Sequence, residues 1–293
     1  QFPAFTKQLL GEQMNLADSA DNPRFAFAKL MFDSHAALDF FRDMRAYLNQ
    51  VSPTPVLVCP NCHVSVNWHA YLTSLGVNDL VFYEEGHSFP PFTRQVYGYK
   101  MGLAASHGKV VGQLLGLPPT VAEERALKRG LDWQFHQPEE QESYTYPQEY
   151  QLAIAEGAAC DATFIPSTNI REQKIRPGDE PSQVAIRAAM KKYYDFLVEH
   201  EDRYAGAQPG ARTAVLCSIW TNLHDRKAQR LRGLCDDLMR AGVPFEVITE
   251  DDLSEQLLAP YESLILSHVE NLSDEDMAAG EAFAPREDGW GML

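Results

Sequence analysis

Residues 79–92, DLVFYEEGHSFPPF, carry an apolar run that stops at two adjacent carboxylates, Glu84 and Glu85, followed by His87 and the pair Pro90-Pro91. A short apolar and aromatic run bounded by turn-forming residues reads as a strand. The absence of polar alternation in LVFY makes it a strand of the buried, parallel-sheet kind, covered on both faces. Whether the chain is built of βα units depends on whether similar runs recur at helical intervals on either side.

They do. Upstream, residues 24–50 place Leu38, Phe41, Met44 and Leu48 at spacings of three and four, which predicts an amphipathic helix. The Pro-flanked PVLVC at 55–59 predicts a short buried strand, and WHAYLTSLGV, 68–77, a helix capped by Gly76. Downstream, TRQVYGYKMGLAASHG (93–108) predicts a helix, KVVGQLLGL (109–117) a third strand, PQEYQLAIAEGAA (147–159) a helix and CDATFIP (160–166) a fourth strand. Strands alternating with helices at this interval argue for parallel βαβ units rather than a sandwich. A long helix over 181–204 precedes the turn-rich AGAQPGAR, 205–212, which marks a domain boundary. The rhythm then restarts: TAVLCSIW, PFEVITE and YESLILSH are strands, DRKAQRLRGLCDDLMRAG is a helix, and Ser273 caps a last helix whose first turn is acidic. The expected division is 1–205 and 206–293. The chain starts at Gln1 and stops on GML where a further strand is due, so both ends are expected to continue in the natural protein.

With 41 Asp and Glu against 25 Lys and Arg, a formal charge of −16 disfavours nucleic acid and anionic membrane surfaces as partners. No run reaches the roughly 18 apolar residues of a membrane span, and QFPAFTKQLLGEQ lacks a signal-peptide pattern. Five scattered cysteines form no disulfide framework, so the expected location is cytoplasmic.

In βα architectures the functional groups gather where strands end. The first strand runs into CPNCH, placing Asn61 and His63 near a site; its CxxC has no second cysteine or histidine pair to complete a metal site, and none is expected. The second delivers Glu84 and Glu85. Most glutamates of an acidic protein are solvated, but a carboxylate ending a buried strand suits a nucleophile, a general acid or a sugar-hydroxyl acceptor. Alternation turns only one of the two inward, and Glu84 is preferred. His87 is a further candidate contact. The third strand offers Gln113 and no acid at its end. Residues 117–149 form a connection longer than ordinary βα loops, with Trp133 and Tyr144 among glutamates, a composition suited to stacking on sugar faces or to tucking the loop onto the domain. No phosphate loop, dinucleotide fingerprint or GxSxG elbow is present, so no cofactor is expected.

A strand ending in VCPN, a strand ending in VFYEE, a strand after HGK, the AEGAACDATF helix and strand, a long helix and a new α/β domain together resemble the second half of a (β/α)8 glycoside hydrolase. The likeness is to family 42 β-galactosidases and their relatives. They join a TIM barrel to a β-galactosidase trimerisation domain, similar to a class I glutamine-amidotransferase or flavodoxin-like fold. It spans from about residue 30 to the end. The resemblance implies the last four strands of a barrel followed by an incomplete α/β domain. It implies hydrolysis of a glycosidic bond, a carbohydrate substrate and a homo-oligomer, with a trimer as one form. Family 42 enzymes use two glutamates, after the fourth and seventh barrel strands. Here the first four strands would lie before Gln1, and the strand in seventh place, KVVGQLLGL, lacks the glutamate. Glu84 is thus carried over as an active-site residue of unassigned role, with Glu85 second, and the polypeptide alone is expected to be inactive. A non-catalytic carbohydrate-binding or assembly protein is the competing reading. An amidotransferase-like enzyme using Cys217 or Cys235 is a third, weakened because Cys217 falls in a strand rather than at an elbow.

Overall fold

The structure is a computed structural model that describes residues 1–15, 22–59, 61–63, 77, 79–85, 94–106, 110–115, 147–166, 180–207, 210–219, 221 and 228–283. It is a mixed α/β chain in two compact units. One comprises Gln1–Val81, Lys100–Val110 and Pro209–Leu293, the other Phe82–Tyr99 and Val111–Gln208. The elements in chain order are α1 (Phe2–Leu10), α2 (Pro23–Val51), β1 (Asn61–His63), β2 (Leu80–Glu85), α3 (Arg94–Ala105), β3 (Val110–Leu115), α4 (Pro147–Ala159), β4 (Thr163–Pro166), α5 (Glu180–Glu199) and α6 (Glu201–Tyr204). After these come β5 (Thr213–Leu216), α7 (Ala228–Arg240), β6 (Phe245–Ile248), α8 (Glu255–Leu258), β7 (Ser263–Ile265) and α9 (Asp274–Phe283).

Two sheets result. One has four strands in chain order, β1-β2-β3-β4; the other has three, β6-β5-β7. In the first, β3 and β4 are parallel, with Gly112 opposite Thr163 and Gln113 opposite Phe164. In the second, both pairs are parallel: Thr213 lies opposite Phe245 on one side and Ser263 on the other. The first strand of that segment therefore sits in the middle, and the chain crosses from one side of it to the other between β6 and β7.

In the first unit α1 packs on the start of α2. Phe2, Met14, Phe25 and Ala28 are buried together, with Phe2 meeting Phe25 edge-on at 5.7 Å and Phe32 at 5.3 Å. Helix α2 starts where Asn22 accepts the backbone N–H of Arg24 and Pro23 occupies the first turn. Its later turns bury Leu38 with Val58 and Val77. The Asp79 carboxylate ties this region together: it accepts the Val58 N–H at 2.9 Å and the Arg45 guanidinium at 2.7 Å, while Arg45 also reaches the Val77 carbonyl.

The expected strand at 55–59 does not form; those residues are irregular, and the strand is the three-residue β1 instead. Proline has no N–H to donate to a sheet ladder, and Pro55 and Pro60 bracket this run. The helix expected over 68–77 lies outside the described residues, apart from the buried Val77.

The three-stranded sheet is built as its sequence requires. Ala214, Val215 and Leu216 are fully buried, as a central strand covered on both faces must be, and Ala214 and Leu216 pack with Ile248, Leu253, Leu258 and Leu264. Helix α7 ends in a Schellman motif: the Val243 N–H reaches the Leu238 carbonyl, the Gly242 N–H reaches Met239, and Gly242 takes φ 69°. Ser273 caps α9 by accepting the Asp276 N–H at 3.0 Å.

In the second unit α4 and α5 pack along their lengths, burying Ala153 and Ile154 against Met190, Tyr193, Tyr194 and Leu197. The fully buried Tyr99 of α3 donates to the Ala153 carbonyl at 3.2 Å. Among the described residues no helix is long and apolar enough to cross a membrane.

Candidate functional site

Strand β2 runs two residues further than its apolar run: Glu84 and Glu85 are its last two positions rather than the start of a loop. Gln113 lies on β3 opposite Phe164, and β3 is the sheet neighbour of β2, so Glu84, Glu85 and Gln113 fall on adjacent strands of one compact unit. Asn61 and His63 are the first and last residues of β1, in the other unit. His87, Trp133 and Tyr144 lie outside the described residues, as does most of the long connection that carries the last two.

The strand exits of the three-stranded sheet carry a polar cluster that the sequence does not advertise. Ser218 and Thr221 follow β5, Glu250 follows β6, and all three are buried. Thr249 forms a capping box with Asp252, opening a 3-10 turn at Glu250–Asp252 that places Glu250 at its first position. The Ser218 hydroxyl lies 2.6 Å from Glu250 Oε1, 2.9 Å from Thr221 Oγ1 and 3.1 Å from the Asn271 carbonyl. One hydroxyl has one proton, so the shortest, charge-assisted contact takes it and Ser218 donates to Glu250. Its lone pairs accept the Thr221 N–H at 3.0 Å and the Thr221 hydroxyl. Thr221 Oγ1 in turn accepts the N–H groups of Glu270 and Asn271 at 2.9 and 3.0 Å, and the second Glu250 oxygen accepts the Ile219 N–H at 2.9 Å. The chain reaches Glu270 from β7 through His268, held at φ 55°, a left-handed conformation uncommon for a side chain other than glycine.

These bonds join the exits of β5, β6 and β7 where the strand order reverses, the usual ligand crevice of an open α/β sheet. Yet Ser218 and Thr221 bond to each other and to backbone and carboxylate partners already in place. The cluster is a lock that fixes three loops.

Neither Cys217 nor Cys235 offers a nucleophile there. Cys217 is fully buried, one residue past β5, and continues the ladder by donating to the Ile248 carbonyl at 2.8 Å. Cys235 is also fully buried, and burial, with the adjacent Asp236 adding to it, pushes its thiol up to about 12. A thiol so far above neutrality supplies almost no thiolate. Cys59 is exposed. Among the described residues no three His, Cys, Asp or Glu side chains come together as metal ligands would.

Comparison with known protein families and with curated proteins finds no match to this chain.

Proposed function

We propose that this chain belongs to a glycoside hydrolase-like protein of the β-galactosidase type, in which Glu84 contributes a carboxylate to the site and Glu85 is the less suited of the pair. The observation that carries the reading is the sheet order β1-β2-β3-β4, strands following one another in chain order with α3 and α4 intervening, combined with the placing of Glu84 and Glu85 at the last positions of β2. Consecutive βα units laid side by side are the construction of a (β/α)8 barrel, whose catalytic groups sit at the C-terminal ends of its strands. In this reading β1 to β4 are the last four barrel strands. The order β6-β5-β7 is that of the first three strands of a flavodoxin-like or glutamine-amidotransferase-like domain, which serves here in assembly of a homo-oligomer, a trimer being one form. The substrate is a neutral carbohydrate, in keeping with the net charge of −16, and the protein works in the cytoplasm without a cofactor.

A second reading keeps the same architecture as a non-catalytic carbohydrate-binding or assembly protein. One observation favours it: β3, Val110–Leu115, has the sequence VVGQLL and does not end in the glutamate that a catalytic strand in that place would need. Calorimetric titration with galactose, paired with turnover of an aryl β-galactoside by the natural polypeptide that carries residues 1–293, separates the two. Binding with turnover supports the first reading, binding without turnover the second, and neither binding nor turnover overturns both.

A further inference from the structure

We propose that Glu156 is a proton-operated latch between α4 and α5: protonated, its carboxyl stays in the seam near Tyr99, and ionised, it loosens the seam where α4 feeds β4.

The geometry starts from the position of Glu156, one turn before the end of α4, in the helix face whose Ala153 and Ile154 form the contact with α5. Its Oε2 is buried and meets no hydrogen-bond donor among the described residues. Among the described residues that oxygen has no donor to compensate for lost water, and a neutral carboxyl costs far less to keep there than a carboxylate.

The groups around it do not supply charge. Tyr99, from α3, is the titratable group that Glu156 acts on: burial raises it, and Glu156, Cys160 and Tyr194 each add to the rise, while burial also raises Tyr194 of α5. Of the basic residues in the described part of α5, Lys191 pairs with Asp195 at 2.6 Å, and Arg187 and Lys192 are exposed. Burial accordingly pushes Glu156 up to about 7. An acid in that range changes charge under ordinary conditions, unlike a solvated carboxyl group.

The mechanical output is local. The Glu156 carbonyl accepts the Cys160 N–H at 3.0 Å, Gly157 accepts from Ala162 at 2.8 Å, and Asp161 takes φ 54° between them. This turn delivers the chain into Thr163, the residue opposite Gly112 in the β3–β4 pair. Hydrating an ionised Glu156 draws the last turn of α4 outward and strains that junction. The device is independent of whether the protein binds a sugar.

Two measurements test it. Carbon-13 NMR of the glutamate carboxyls follows the wild-type protein from about pH 5 to about pH 9. One resonance titrating near 7, absent in Glu156→Gln, is expected; Glu156 titrating in the ordinary carboxylate range overturns the proposal. Amide hydrogen exchange, corrected for intrinsic rates, then compares the end of α4 and β4 at about pH 6 and pH 8. Protection in the wild type is expected to drop about tenfold while Glu156→Gln keeps its protection at both. An equal drop in the variant, or no drop in the wild type, also overturns it. The NMR titration midpoint decides the matter on the wild-type protein should the variant fold poorly.

Discussion

Replacing Ser218 by alanine removes a side-chain hydroxyl that donates to the buried Glu250 carboxylate, at 2.6 Å, and the acceptor for the Thr221 N–H at 3.0 Å. A hydrogen bond to a charged group contributes about 1.5–3 kcal/mol, and a buried donor left without an acceptor costs about 1–3 kcal/mol more. Part of the second cost is recovered as the loop relaxes and the Thr221 N–H finds water, so the expected loss is about 2–3 kcal/mol. The assay is amide hydrogen exchange at Ile219, Thr221, Glu270 and Asn271, whose N–H groups all donate into the cluster. At 1.4 kcal/mol per factor of ten, their protection falls by roughly 30- to 100-fold. Glu250→Gln loses the same charge-assisted bond, so the double variant costs less than the sum of the singles by about 1 kcal/mol or more. A Ser218→Ala protein whose four amides keep wild-type protection, or two losses that simply add, refutes the reasoning that these groups act as one lock.

Three further outcomes are expected. Leu264→Ala empties the centre of the three-stranded sheet core, where Leu264 is fully buried beside Ala214, Leu216 and Leu258; it costs about 3 kcal/mol, read from the urea midpoint. Arg45→Met breaks the clamp on Asp79 and Val77 in a half-buried setting and lowers stability by about 1–2 kcal/mol, with Asp79→Asn giving a similar and non-additive loss. For Glu156 the sign follows from a folded-state value raised from 4.5 to about 7. Its neutral form is the one the fold favours, so stability is fully present below about pH 4.5 and is lost as pH rises through 7. The ceiling is roughly 3 kcal/mol, cut to about 1–2 kcal/mol by the partial exposure of the group, and Glu156→Gln flattens the profile when unfolding is followed against pH.

The βα rhythm was legible because buried parallel strands and amphipathic helices leave local patterns. LVFY, VVGQLL and TAVL all form strands, and PQEYQLAIAEGAA forms a helix over the residues expected. PVLVC misled because its composition is that of a strand while its flanking prolines deny it ladder partners. Two helical pieces lie beyond the expectations: α1, opened by Pro3 and closed by Gly11 at φ 77°, and α8, capped by Ser254. Their caps were readable signals, but α1 and α8 are short and their stability comes from tertiary packing. The Ser218 lock was not legible at all, since Glu250 is 32 residues away and the Glu270 and Asn271 amides about 50. Glu156 likewise reads as a solvated acid on a helix until α3 and α5 close over it. Of the expected site, the backbone puts Glu84 and Glu85 at a strand end and Gln113 within the neighbouring strand; nothing local in the sequence reports which carboxylate partners them.

The measurement that bears most directly on the proposed chemistry is the rate of aryl β-galactoside hydrolysis by the natural polypeptide, compared with its Glu84→Gln and Glu85→Gln variants. A carboxylate acting as acid, base or nucleophile at the end of β2 requires the first substitution to lower kcat/KM by about 10²- to 10⁴-fold while the second lowers it by less than tenfold. Turnover unchanged by Glu84→Gln, or no turnover in the wild-type protein, contradicts the assignment.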